Sequence, residues 1–235
     1  MAIAARGEAA LANAAELLRS AGGDVLHVSS DITSQEQVDR LFAETVNRFG
    51  RIDGLVNCAG ISMRGAILDA APEDFQRLIE LNLIGVVRCI RAAAQQIVLN
   101  RGHIVNISSL AGKSASRYLG AYPASKFALT AYNQQLRLEL GPLGVHVMLV
   151  CPGPIAREKP RTYGAETMAD LPTSAARPGG GVRTRALDPK MLADRIVRSC
   201  QRRRAELIVP RHARLLFALT QLSPALGDFI LRRFT

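Results

Sequence analysis

A chain of 235 residues with 48% hydrophobic content is long enough for one soluble domain with a sizeable core. No apolar run reads as a membrane span, the first twenty residues lack a signal-peptide pattern, and Glu8 and Glu16 argue against a transit peptide. The net charge of +10 is lopsided: residues 157–235 hold 16 Lys/Arg against 7 Asp/Glu, and the rest is close to neutral. That balance reads as a solvated basic surface, or as attraction to an anionic surface or substrate. Nucleic acid is not an expected partner, because no aromatic interleaving, zinc pattern or helix-turn-helix accompanies the charge. Cys58, Cys89, Cys151 and Cys200 are scattered, with no CxxC and no His beside them in sequence. They are expected to be reduced, mostly buried thiols of a cytoplasmic protein, and no metal site is expected.

Taken in order, strands and helices alternate. Glu8 to Ala21 has helical periodicity and stops at Gly22-Gly23. "DVLHVSSDIT" is a short β run, followed by a helix that Thr33 or Ser34 can cap and that runs through Phe49. "IDGLVNCAG" is an apolar strand broken at Gly60. Pro72 opens a helical segment, and a long helix with a break covers Phe75 to Leu99. "HIVNISS" is a strand, "YPASKFALTAYNQQLRLEL" an amphipathic helix, and "VHVMLVCPG" a strand closed by Pro152-Gly153. Residues 157–188 are rich in Pro, Gly, Thr and Arg and have no period. The helix "PKMLADRIVRSCQRRR", the strand "ELIVP" and an apolar tail with basic ends, 211–235, complete the chain. The strands are continuous β-branched runs, as in parallel strands buried on both faces, so the fold class is α/β with a doubly wound parallel sheet. No linker divides residues 1–235, which read as one domain.

Tyr122 and Lys126 stand four residues apart at the start of a helix and so share one of its faces. A tyrosine titrates near pH 10 and is a poor acid at neutrality. An adjacent ammonium favours the phenolate and lowers that pKa, so the pair can give a proton to a carbonyl oxygen or take one from an alcohol. Alone the spacing is also that of a packed Tyr and a snorkelling Lys. Ser109, thirteen residues upstream of Tyr122, follows a strand, where open α/β sheets bind ligands. Asn82 in "LNLIGV" is a polar residue in an apolar helix, either a satisfied amide or the holder of a water in a proton relay with Lys126.

Asp31 after the second β run, "NCAG" at 57–60, Asn82, Ser109, "YPASK" at 122–126 and "PGPI" at 152–155 together resemble the classical short-chain dehydrogenase/reductase family, in its order and spacing and over nearly the whole chain. The resemblance implies a Rossmann-like fold and interconversion of a carbonyl and a secondary alcohol. It implies Tyr122 as general acid/base, Lys126 lowering its pKa and holding the nicotinamide ribose, Ser109 bonding the reacting oxygen, and Asn82 completing the relay. Asp31, with Ile32 beside it, would touch the adenine. Asn57, Ala59 and Gly60 would lie beside the adenosine, and Pro152, Gly153 and Ile155 beside the nicotinamide. NAD-specific members of the family carry an acidic residue after their second strand, where this chain reads Ala5-Arg6. A guanidinium there can grip a 2′-phosphate, so NADP(H) is expected over NAD(H), unless Arg6 is only a surface residue at a helix start.

The family opens with a strand and a TGxxxGxG loop, which bring the backbone to the pyrophosphate at a helix N-terminus. Here "MAIAAR" resembles the family's second strand, and "GG" at 22–23 and "PGGG" at 178–181 cannot replace the loop. The expectation is therefore a truncated domain lacking its N-terminal βα unit, roughly 30 residues. A misplaced start would explain it, or else a variant that repacks the gap and binds no dinucleotide, or a partner chain that supplies the strand. Loss of a central strand is expected to leave backbone groups of its neighbours unpaired in the middle of a core, at about 1–3 kcal/mol each. Residues 157–188 correspond to a substrate lid. In "NCAG", Cys58 is expected to pack as a small hydrophobe, and Arg157 replaces a threonine that contacts the carboxamide. The partners expected are a lipophilic small-molecule carbonyl or alcohol, a second copy in a homo-oligomer, and peripheral membrane contact through the tail. The competing reading is a cofactor-free binding or scaffold protein on the same fold.

Overall fold

Six parallel strands alternate with helices, and the sheet they form is in two pieces. The computed structural model describes residues 1–157, 171–172, 175 and 185–234. β1 (Ala2–Ala5) is followed by α1 (Glu8–Ser20) and β2 (Leu26–Ser29), which pairs with β1. α2 (Gln35–Phe49) starts at Ser34, whose hydroxyl accepts from Gln37 N–H, and ends at Gly50 in the left-handed region. β3 (Gly54–Asn57), β4 (His103–Ile107), β5 (His146–Pro152) and β6 (Glu206–Val209) make the larger sheet in that order.

Between β3 and β4 runs a helical stretch, α3 (Pro72–Ile79), a π-helical turn over Glu80–Ile84, and α4 (Gly85–Leu99). The break expected in this helix is the π turn, and the stretch opens at Pro72 as expected, running on continuously to Leu99. By length and composition Pro72–Leu99 also qualifies as a membrane span, contrary to the sequence reading. Its apolar stripe is nonetheless spent on the protein: Leu78, Val86, Ile90, Ala93 and Ile97 are buried. α5 (Tyr122–Leu140) follows β4, α6 (Pro189–Gln201) leads into β6, and α7 (Ala213–Leu222) and α8 (Pro224–Phe234) end the described chain.

Both faces of the larger sheet are covered. Ile104 and Val147 pack with Ile90, Ile97 and Leu129 of α4 and α5. The alternate residues Val105, Met148 and Val150 turn to Leu192 of α6, while Leu149, Cys151 and Ile208 meet Ala213 and Phe217 of α7. The buried-on-both-faces rule therefore holds for β5, where every residue is buried, and for the centre of β4. It fails at β1 and β3. Among the described residues β1 bonds only β2, and β3 only β4. Ala4, Ala5 and Gly54 are exposed, and Val56 is 53% exposed. The split matches the sequence expectation, but its energetic reason is corrected. These strands are not sealed in a core, so their outer backbone groups can meet water, which is far cheaper than burial.

Gly102 joins α4 to β4 and leaves no room for a side chain. A Cβ there would stand 2.4 Å from the Asp53 carbonyl oxygen, just before β3, and His103 N–H donates to that same oxygen at 2.9 Å. Gly102→Ala is expected to push β3 and β4 apart at their starts and to lower stability by about 1–3 kcal/mol, measured as the urea midpoint of unfolding.

Candidate active site

The predicted catalytic residues meet at the carboxyl ends of the strands. Asn82 lies in the π turn, a widened coil that turns its amide out of the helical ladder. The residue is fully buried and its side chain is satisfied on both sides. Its Oδ1 accepts from Ile61 N–H at 2.9 Å, and its Nδ2 donates to Ile61 O at 3.0 Å and to Ser125 Oγ at 2.9 Å. Ser125 in turn donates to the carbonyl oxygen of Tyr122 at 2.7 Å. The chain Asn82–Ser125–Tyr122 thus sets the first turn of α5 relative to the loop after β3.

Lys126 follows one turn after Tyr122 and is 4% exposed. A buried ammonium must be compensated, and its Nζ donates to Ile107 O at the end of β4 at 3.0 Å. Gly60 separates the lysine from the asparagine. A Cβ on Gly60 would stand 3.0 Å from Asn82 Oδ1 and 3.4 Å from Lys126 Nζ, a tight fit that would make the asparagine amide shift by a few tenths of an ångström. Ser109 leaves β4 and caps a short 3₁₀ turn, accepting from Ala111 N–H at 3.1 Å. Its neighbour Ser108 donates to the Lys126 carbonyl at 3.4 Å, which holds this loop against the start of α5. Tyr122, Lys126, Asn82 and Ser109 therefore come from three elements to one end of the sheet.

The predicted cofactor residues share that end of the strands. Asn57 Nδ2 donates to Asn106 Oδ1, and Asn106 Nδ2 to Asn133 Oδ1, both at 2.9 Å. This buried amide ladder crosses β3, β4 and α5. Asn106, Asn133 and Ser125 were not singled out from sequence. The available signal was a polar residue inside an apolar strand or helix face, which must find a partner. Ala59 is exposed, and so is Cys58, which corrects the expectation that it packs as a small hydrophobe. Ile32 packs against Gly85, just past the π turn. Pro152 ends β5, and Gly153 N–H donates to Val209 O at 2.7 Å. Ile155 bridges Leu187, so the two described ends of the predicted lid are tied together. Most of residues 157–188 lie outside the described residues.

Asp31 differs from its expected role in one respect. Its Oδ1 accepts from Thr33 N–H at 2.9 Å and Thr33 Oγ1 at 2.8 Å, and its Oδ2 is 3.6 Å from Arg6. The Thr33 backbone bond and, further down, the Arg6 charge together hold the carboxyl below its ordinary value of 3.8, against an opposing effect of burial. The two residues expected to contact separate parts of a cofactor are thus paired with each other.

Parallel strands with a Ser, Tyr, Lys and Asn set at their carboxyl ends define an oxidoreductase of the Rossmann-like class. Residues 1–165 match the short chain dehydrogenase family, and the chain belongs to that family. A 3-oxoacyl-[acyl-carrier-protein] reductase of Synechocystis is 34% identical over 77% of this chain and 75% of its own. The ketoacyl reductase HetN of Nostoc is 29% identical over 97% of this chain and 78% of its own. Among solved structures, an actinorhodin polyketide ketoreductase with NADPH superposes with a TM-score of 0.77, at 30% identity, over 90% of this chain and 86% of the other.

The donor set fits the nicotinamide-ribose end of a dinucleotide: a buried ammonium and a phenol on one helical turn, beside a glycine whose missing Cβ leaves a cradle. For the pyrophosphate, the described residues offer no glycine-rich turn between a strand and a helix N-terminus of the TGxxxGxG kind.

Because the folded pKa of Asp31 is depressed, its stabilisation is present above about pH 3.8 and is lost as pH falls through the lower folded value. Asp31→Asn is expected to cost about 1–2 kcal/mol near neutrality, with the gap to wild type closing below that window in urea melts run as a pH series.

Proposed function

We propose that the protein is an NADP(H)-dependent reductase of a carbonyl on an acyl chain, of the 3-oxoacyl type. The observation that carries this is the buried Asn82–Ser125–Tyr122 chain with Lys126 beside it, assembled at the carboxyl ends of the strands. The substrate class is supported by the two relatives named as ketoacyl or 3-oxoacyl reductases. The basic last third of the chain supports an anionic carrier or head group on that substrate.

A bound NADPH supplies the hydride. The chain's residues do the rest. Lys126 and Tyr122 hold the ribose end. Ser109 uses its oxygen lone pair on Ala111 N–H, and its hydroxyl hydrogen is then directed to the substrate oxygen. Tyr122 gives that oxygen its proton, and Lys126 favours the phenolate that remains. Asn82, locked by Ile61 and Ser125, holds the first turn of α5 in register for this transfer.

Arg6 supports NADP(H) over NAD(H), although it shares its charge with Asp31. A bound 2′-phosphate would take over that guanidinium at short range. Near the C-terminus, Leu215, Leu222 and Phe229 on α7 and α8 are exposed, and α8 ends in the basic pair Arg232 and Arg233. Of these, Phe229 shares a surface hollow with Arg232 and Arg233, which supports use of the tail as a contact face, with an anionic membrane surface as the charge-matched partner and a second copy as the alternative. The split sheet favours the other reading, a cofactor-free binding protein, and NADPH titration by calorimetry separates the two.

Tyr122→Phe is expected to lower kcat for a 3-oxoacyl thioester by about 10²–10⁴ while leaving the NADPH Kd nearly unchanged. Retention of most of the turnover would remove Tyr122 from the acid role. Arg6→Gln is expected to weaken NADPH roughly tenfold and to leave NADH almost untouched. Equal loss for both cofactors would mean that Arg6 reads no phosphate.

A further inference from the structure

At the end of the sheet opposite the catalytic residues, three side chains that are far apart in sequence converge. His103 and His146 are register partners at the starts of β4 and β5. Their rings meet edge to face, with centroids 5.0 Å apart and their Nδ1 atoms 2.9 Å apart. Cys200 comes from the last turn of α6, and one ring nitrogen of each histidine lies with its Sγ inside a span of 4.8 Å. We propose that His103, His146 and Cys200 are the protein ligands of a site for a borderline-soft divalent ion, Zn²⁺ in the first instance.

Three features of the cluster suit a metal better than a plain polar contact. First, the tautomer of His146 is already set. Its Nε2 lies 2.8 Å from the Arg204 carbonyl oxygen, which can only accept, so Nε2 carries the hydrogen and Nδ1 presents a lone pair. A ligating imidazole is usually oriented by such a bond from its other nitrogen to a backbone carbonyl. Second, both rings are held in the neutral form that metals need. Burial, the largest effect, lowers the pKa of each below the ordinary 6.5, and the Arg203 charge lowers it further; for His103 the His146 charge also lowers it and Asp53 works the other way, while for His146 the hydrogen bond to the Arg204 carbonyl opposes the shift. Third, the ligand types are two imidazoles and one thiol, a Zn²⁺ set that leaves the fourth position for water.

The distances require a small closure. With Zn–N of about 2.0–2.1 Å and Zn–S of about 2.3 Å, tetrahedral ligands stand roughly 3.4 Å apart for N and N and roughly 3.6 Å for N and S. The two Nδ1 atoms, now 2.9 Å apart, must part by a few tenths of an ångström, and the cluster, whose ligand atoms lie within 4.8 Å of one another, must close by up to about 1 Å, within reach of a χ1 adjustment at Cys200. The proton balance is simple. The hydrogen shared between the two Nδ1 atoms moves to Nε2 of His103, and the Cys200 thiol releases its proton to solvent. Burial holds that thiol above its ordinary 9.0, so the proton leaves only as the metal arrives. Arg203 opposes a dication here, and Asp53 partly offsets it.

Such an ion would clamp the end of α6 to the first residues of β4 and β5, away from Ser109 and Tyr122 at the other end. Its role would be to stabilise, with no part in the reaction.

The test is Co²⁺ and Zn²⁺ titration of the full chain after dialysis against a chelator. Wild type is expected to bind one Co²⁺ with a thiolate charge-transfer band and tetrahedral d–d absorption, and Zn²⁺ is expected to displace it and raise Tm. Cys200→Ser is expected to abolish the charge-transfer band and weaken Zn²⁺ at least roughly tenfold. His103→Gln, at a partly exposed position, is expected to weaken it similarly without unfolding, checked by circular dichroism. Absence of binding by folded wild type would overturn the proposal, as would binding that neither substitution changes.

Discussion

The buried ammonium of Lys126 is the constraint around which the site is arranged. A charge so deep in the protein is tolerable only with fixed acceptors around it, and the carbonyl of Ile107 supplies one. That single bond ties the first turn of α5 to the end of β4. The same turn leaves little room beside Gly60, and the Ser108–Ser109 loop packs on it through the Ser108 hydroxyl. Tyr122 inherits its position from this arrangement, since its backbone is held by Ser125, which Asn82 holds in turn.

The rest of the fold serves that corner unevenly. β5 and the centre of β4 are embedded between helices and give the floor at whose ends Ser109 and Pro152 sit. The amide ladder Asn57–Asn106–Asn133 carries the order of this floor across to β3. β1 and β2 form a separate pair, and only local packing such as Ile32 on Gly85 links their loops to the catalytic end. The half of the site expected to meet adenine and phosphate is therefore the less constrained half, and there Arg6 and Asp31 pair with each other.

Much of this was legible in the sequence because it was carried by local pattern. Apolar runs marked β3 to β6, Thr33-Ser34 marked the start of α2 and its periodicity the end at Phe49, and the Tyr122–Lys126 spacing marked one helical face. The absent glycine-rich loop announced a sheet in two pieces. What stayed hidden was long-range. Ser125 looked like an ordinary helix residue, and Asn106 and Asn133 gained their meaning only as partners 27 residues apart in the chain. Cys58 was expected inside and is exposed, just past the end of β3, the edge strand of the larger sheet.

The sequence by itself determined the alternation of strands and helices, the family resemblance and the four candidate catalytic residues, since periodicity and motif spacing are properties of neighbours in the chain. Only the tertiary structure decided which polar groups complete one another: Asn82 with Ser125, Arg6 with Asp31, and His103 with His146 beside Cys200. Buried and half-buried polar groups must find partners wherever the fold brings them, and in a parallel sheet those partners come from strands and helices tens of residues away.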